Sequence, residues 1–130
     1  MSNEIKVPIS PGELIDKITI LEIKAANITD AAKLANVKVE LQLLQETWRS
    51  SPHSATNIDA EWQQLREVNK KLWDIEDDIR DKERQRQFDQ QFIELARAVY
   101  INNDERAAVK KTINTKLGSK IVEEKSYAKY

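Results

Sequence analysis

The sequence contains no cysteine, two glycines, three prolines and one histidine among its 130 residues. The lack of cysteine excludes disulfide bonds, thiolate nucleophiles and cysteine-ligated zinc. The single histidine, His53, lies in a Ser-, Pro- and Asn-containing stretch that predicts a loop. This placement argues against a Ser-His-Asp triad and against the Glu-x-x-His pairs of di-iron bundles. We find neither a signal peptide nor a long uncharged run, so we expect a soluble cytoplasmic protein without membrane insertion.

What the sequence does contain is charge and helix-forming residues. Charged residues make up 33% of the chain, with 21 basic and 22 acidic side chains and a net charge of −1. This balance creates no overall field for nucleic acid, and Glu123 and Glu124 interrupt the lysines near the C-terminus, so we expect no nucleic-acid partner. The scarcity of glycine and proline predicts helices joined by short loops in one domain over residues 1–130.

Hydrophobic spacing predicts about five helices. Ser10, Pro11 and Glu13 form a capping box with proline at the first helical position, so a helix starts at residue 11. It carries apolar residues on more than one side, and we expect it to be central or to meet a second copy of the chain. We expect the fourth helix to be heavily buried as well. The predicted helices cover residues 11–28, 30–50, 58–86 and 88–102, and a fifth helix follows a break at NND (102–104) and runs to Leu117, before Gly118.

The fold class that follows is all-α, a single-domain bundle of about five helices with a short extended N-terminal segment. Pairing of that segment with the β-like Ile121–Val122 in the tail is left open. We expect a homodimer, because the first helix has a second apolar face. The third helix, about 40 Å long at about 1.5 Å per residue, also overshoots a bundle of this mass.

Two polar residues fall in the apolar seam of the third helix, Asn69 and Glu76. A buried polar group costs on the order of a few kcal/mol unless it is hydrogen-bonded or paired. We expect Arg80 and Arg97 to be the partners of these two residues.

Two interpretations of these polar residues stay open. One is a buried ion-pair network that fixes helix register. The other is a pocket in which Arg80, Arg97 and Lys17 hold an anion while Glu76 or Glu94 orients it. Such a pocket would bind a small anionic molecule, and no catalytic residue is predicted in it.

A second basic group contains Arg106 and Lys110, close to a predicted helix start at NND. A helix N-terminus with two basic side chains one turn apart suits a phosphate or carboxylate. The alternative is that Asp104 and Glu105 already complement that helix end.

The acidic run between Asp74 and Asp78 has only one carboxylate that points inward, which does not suit a metal site. We therefore predict no metal and no cofactor. Trp73, one step off the seam, is a candidate wall for a pocket or a dimer contact.

Several long blocks together resemble a family of small bacterial and phage proteins known as a domain of unknown function, from Val7 to Tyr127. A more distant uncharacterised helical family shares the LIDKITIL and LW-IED-IR patterns. The blocks that carry the resemblance are VPISPGELIDKITILEIK, KLANVKVEL, LWDIEDDIRDKE, FIELARAVYINNDERAAVKKTIN and EEKSY.

The resemblance implies a helical unit and a context of surface-polysaccharide synthesis, since some such proteins accompany glycan-synthesis genes or are fused to glycosyltransferase regions. It implies no activity and no catalytic residues. Two functions remain open: a non-catalytic interaction or assembly module, with a possible protein partner in polysaccharide synthesis, and a small enzyme or binding protein for a sugar phosphate or nucleotide sugar. The candidate ligand-binding residues are Lys17, Asn69, Trp73, Glu76, Arg80, Glu94, Arg97, Arg106 and Lys110.

Overall fold

A computed structural model describes residues 3–130 and contains four α-helices and one short 3-10 helix. No strand occurs among these described residues, so the N-terminal segment and the tail do not form a sheet. The all-α fold is therefore confirmed, while the predicted count of five helices is one too high. The elements are α1 (Pro11–Asn27), α2 (Ala31–Ser50), the 3-10 helix (Pro52–Ala55), α3 (Asp59–Arg84) and α4 (Gln90–Lys116).

The start of α1 has the predicted capping geometry. Ser10 has extended backbone angles, and its hydroxyl accepts a hydrogen bond of 3.2 Å from the Glu13 N–H. Pro11 occupies the first turn, where its missing N–H leaves no helical bond unmade. These local interactions explain why the predicted start of α1 is confirmed to the residue.

Helix α1 is the centre of the fold, because it contacts α2, α3 and α4. Ile15 and Ile18 are fully buried and pack in one cluster with Leu65 and Val68 of α3 and Ile113 of α4. The apolar faces of α1 are thus covered within the chain, so of the two predicted alternatives, a central helix or contact with a second copy, the structure shows the central helix. For the same reason, α1 gives no argument for a second copy.

Helix α4 runs without interruption through NND, where a break between two helices was predicted. The Asn102 amide bonds back to the Ala98 carbonyl at 2.8 Å, which satisfies its side chain without leaving the helix. The neighbouring alanines have the highest helix propensity of any residue. Arg106 and Lys110 therefore lie inside a helix, and the predicted anion site at a helix N-terminus is wrong.

Helices α3 and α4 form an antiparallel hairpin. Lys116 pairs with Glu61 at one end, and Lys82 pairs with Asp89 at the other, with N–O distances of 3.0 Å in both. Between Lys70 and Val109, all of which the structure describes, no residue is buried. We call the part of the hairpin formed by residues 70–109 the distal hairpin. The expectation of heavy burial for residues 88–102 is wrong, because none of them is buried and α1 reaches this part only with Ile20 and Ile23, beside Val99.

The described helices include none with the length and apolar character needed to cross a bilayer.

Candidate functional site

The buried polar residue Asn69 bonds to α1 rather than to an arginine. Its amide nitrogen donates to Asp16 Oδ1 at 2.9 Å and to Thr19 Oγ1 at 3.0 Å, and all three side chains are buried. The predicted burial of Asn69 is confirmed, but neither Arg80 nor Arg97 is its partner. Arg80 does pair with the other residue, Glu76, as predicted. Asp16 and Thr19 were missed, although their position between the two apolar sides of α1 was a signal for burial.

Lys110 lies at the centre of a second polar cluster, next to the first. Its ammonium contacts Glu13 at 2.6 Å, Glu123 of the tail at 3.0 Å and Asp16 at 3.9 Å. Burial alone would lower the pKa of Lys110, but its hydrogen bonds to Glu13 and Glu123 and the nearby carboxylates raise that pKa above its ordinary value. Lys110 is therefore a fully paired cation.

The pKa of Glu13 is shifted in the direction opposite to that of its partner Lys110. Burial alone would raise its pKa, but the hydrogen bond and charge of Lys110 outweigh burial and hold the pKa below its ordinary value, helped by Lys17 and Arg106. The Lys17 ammonium stands 3.7 Å from the Glu13 carboxylate at the solvent edge.

This cluster exists because α1 approaches α4 very closely at Gly12. A Cβ atom on Gly12 would lie only 2.6 Å from the Lys110 carbonyl oxygen. The Gly12 N–H donates to Asn114 Oδ1 at 2.7 Å, which joins the two helices directly. Any side chain at this position would push the helices apart.

A groove of about 530 Å³ lies where α1, α3 and α4 meet, beside the Asn69 cluster. Apolar side chains provide much of its surface, and the indole of Trp73 is among them. The apolar lining residues are Ile20, Ile23, Leu72, Trp73 and Val99.

Polar side chains of α3 line the same groove toward solvent. Glu76 is exposed and forms a 3.1 Å ion pair with Arg80 one turn later. The inward position predicted for Glu76 is wrong, because its side chain is 48% exposed at the solvent side of the groove. Asp77 lies beside this pair.

On the α4 side, the groove is lined by Asn103 and Arg106, both half-buried. Within the described residues, neither side chain forms a hydrogen bond or an ion pair. Asn102 differs, since its amide is bonded to its own helix. On the α4 side the groove therefore presents donor groups that form no hydrogen bond or ion pair, and on the α3 side it presents the Glu76–Arg80 pair and Asp77.

The nine predicted site residues fall into three places. Asn69, Trp73, Glu76, Arg80 and Arg106 line the groove. Lys110 is buried in the neighbouring cluster with Lys17 at its edge. The remaining two, Glu94 and Arg97, are exposed on α4 away from the groove. A single pocket containing all nine is not formed.

The outward face of α4 carries apolar residues that no other helix covers. Ile93 is 48% exposed and Ile101 is 42% exposed. Arg97 lies between them, with its Nε atom 3.4 Å from the Tyr100 hydroxyl. The tail touches this face at its end, where Tyr130 packs edge-on against the Tyr100 ring with 5.0 Å between ring centroids.

The described residues contain no group of three or more His, Cys, Asp or Glu side chains placed to hold a metal ion.

Residues 5–130 match a family of unknown function (DUF6165), and the chain belongs to that family. No curated protein matches the chain, and no solved structure does.

Proposed function

For this member of a family without an assigned activity, we propose a non-catalytic assembly module that works as a homodimer through its distal hairpin. The observation that carries the proposal is the lack of any buried residue from Lys70 to Val109, all within the described part of the chain. Beyond the groove, where Ile20 and Ile23 of α1 lie beside it, the two helices of this stretch pack on each other and leave apolar surface in water. A second hairpin would complete a four-helix arrangement and cover it.

The lengths of the helices explain why the surface is free. At about 1.5 Å per residue, the 26 residues of α3 and the 27 residues of α4 span about 40 Å, whereas the 17 residues of α1 span about 25 Å. α1 crosses the hairpin near Asn69 and cannot also cover its far end.

The occupant that fits the outward face of α4 is a second copy, because the face is self-complementary. Its residues follow one another at intervals of 4, 3, 1, 3 and 4, which is symmetric about the Tyr100–Ile101 pair. These spacings keep the residues on one side of the helix. The face consists of Ile93, Arg97, Tyr100, Ile101, Asp104 and Ala108.

A two-fold antiparallel pairing of two such faces places unlike groups opposite each other. Arg97 meets Asp104 of the second copy on both sides of the axis, and Tyr100 meets Ile101. Ile93 then lies against the small Ala108. The pairing is isologous, as a two-fold dimer requires, and opposite charges fix its register.

The tail takes part in this equilibrium. The Tyr130 hydroxyl donates to Asp104 at 2.6 Å, so in one chain the tail occupies a group that Arg97 of a second copy would use. Dimer formation replaces this exposed contact with a charged one. The expected link to surface-polysaccharide synthesis and the cytoplasmic location stay predictions.

Sedimentation equilibrium tests the dimer and its register. We expect the wild-type chain to dimerise at micromolar concentration and Ile101→Asp to be monomeric at the same concentration. Val39→Asp is the matched control, since Val39 is equally apolar, 61% exposed and on α2. Arg97→Asp should also disrupt the dimer, and Arg97→Asp combined with Asp104→Arg should restore it. A wild-type monomer at tens of micromolar, or a dimer indifferent to Ile101→Asp, would contradict the proposal.

A further inference from the structure

We propose that the groove between α1, α3 and α4 binds a small molecule that carries one anionic group, a carboxylate or a phosphate ester, attached to a flat or apolar body. The anion would sit at Asn103 and Arg106 and the body against Trp73. This site lies on the opposite side of α4 from the proposed dimer face, so it does not depend on the dimer.

The first support is the state of Arg106. Arg106 is half-buried as a residue, and no carboxylate lies within ion-pair distance of it among the described residues, although its charge acts on Glu13 at longer range. A partly buried cation without a direct ion pair or hydrogen bond is unfavourable, and a bound anion would supply that contact through charge-assisted hydrogen bonds. The other cation of the groove, Arg80, already has Glu76.

The second support is that Asn103 adds donors next to Arg106. The two residues are three apart on α4, so they lie on one side of the helix and line the same groove. A guanidinium and an amide side by side offer several N–H groups to one anion. A carboxylate or phosphate has the acceptor oxygens to use them.

The apolar lining and Asn69 define the rest of the ligand. Trp73 is half-buried in the groove and free of the Trp48–Trp62 ring contact in the core, so its indole can pack on a flat ligand. The amide nitrogen of Asn69 donates to Asp16 and Thr19, so its carbonyl oxygen is left to accept a hydrogen bond from a ligand hydroxyl. At about 530 Å³ the groove suits a small molecule rather than a polymer.

The charges of the groove limit the ligand to a single anionic group. Glu76 and Arg80 neutralise each other, and Asp77 lines the groove next to them. A second anionic group directed to that side would meet Asp77 without a free cation to balance it. A donor group there would be favourable.

Amide and side-chain NMR with three probes tests the site in the full chain. The probes are benzoate, phenyl phosphate and the neutral benzyl alcohol, which share a flat ring and differ in charge. We expect at least one anion to shift the Trp73 indole N–H and the Arg106 Nε–H signals with saturation, and benzyl alcohol to leave the Arg106 signal unchanged. The indole signal is assigned with Trp73→Phe. Saturation by benzoate alone assigns a carboxylate, and saturation by phenyl phosphate alone assigns a phosphate ester.

The decisive variant is Arg106→Gln, which keeps a polar side chain and removes the charge. We expect it to weaken the binding of the anion by about tenfold or more, as loss of a hydrogen bond to a charged group does. Arg49→Gln is the matched control, because Arg49 is an exposed arginine on α2 outside the groove. Lack of saturation by both anions, equal binding of benzyl alcohol, or unchanged affinity in Arg106→Gln would each overturn the proposal.

Discussion

Replacing Lys110 by methionine tests whether the buried charge cluster behaves as a desolvated network. Methionine has a similar length and no charge, so the change removes the contacts to Glu13, Asp16 and Glu123 without opening a large cavity. The Asp16 side chain is only 8% exposed and would keep the Asn69 hydrogen bond alone. A buried carboxylate without a cation is then the main cost.

The magnitude follows from this geometry. Breaking a buried pair by removing one partner costs about 3–5 kcal/mol. Because the Glu13 and Glu123 side chains keep 30% and 44% of their exposure, we expect the lower end, about 3 kcal/mol in the free energy of unfolding. With an unfolding entropy of about 2.1 cal/mol/K per residue, this corresponds to a fall of about 11 °C in Tm.

Urea and thermal unfolding monitored by circular dichroism measure this loss. Lys111→Met is the matched control, since Lys111 is the exposed neighbour, and we expect its effect to stay within about 0.5 kcal/mol. Adding Asp16→Asn to Lys110→Met should recover about 1 kcal/mol or more, because it removes the stranded charge. A loss below about 1 kcal/mol in Lys110→Met, or no recovery in the double variant, would refute the reasoning.

Three further predictions follow from the same contacts. Glu13 has a lowered pKa, so its contribution to the free energy of unfolding is present above the ordinary value of 4.5 and is lost as the pH falls through the lowered pKa. Lys110 has a raised pKa, so its contribution is present below the ordinary value of 10.5 and is lost as the pH rises through the raised pKa. Urea midpoints measured across pH should therefore decline on both the acidic and the basic side. Gly12→Ala should destabilise by about 2 kcal/mol or more, because the new methyl group meets backbone and the bond to Asn114 is strained, as thermal unfolding would show. Asp30→Ala should cost about 1 kcal/mol, since Asp30 caps α2, and an unchanged midpoint would exclude that capping role.

The starts of the first two helices could be predicted because local chemistry determines them. Ser10 and Asp30 cap the starts of α1 and α2 with side-chain acceptors, and both starts lie within one residue of the prediction. The break predicted at NND failed for the opposite reason. A cluster of Asn and Asp favours a helix end locally, yet here the flanking residues continue the helix and the Asn102 amide bonds within it.

The candidate site could be predicted only in part. Helical spacing placed Asn69, Trp73 and Arg80 near one face of α3, and all three line the groove. Their neighbours depend on how α1 crosses the hairpin, which no local pattern encodes. Asp16 was overlooked because helical spacing does not show which residue of another helix a polar side chain among the apolar positions of α1 will meet.

The contact between Gly12 and Asn114 joins residues that are 102 positions apart in the chain. During synthesis α1 leaves the ribosome long before the part of α4 that covers it, so the side of α1 that packs on α4 stays uncovered until α4 has been made. The α3–α4 hairpin needs only its own short turn and can form first. Closing α1 onto α4 is then a late event in folding, and weakening that closure should speed unfolding more than it slows folding.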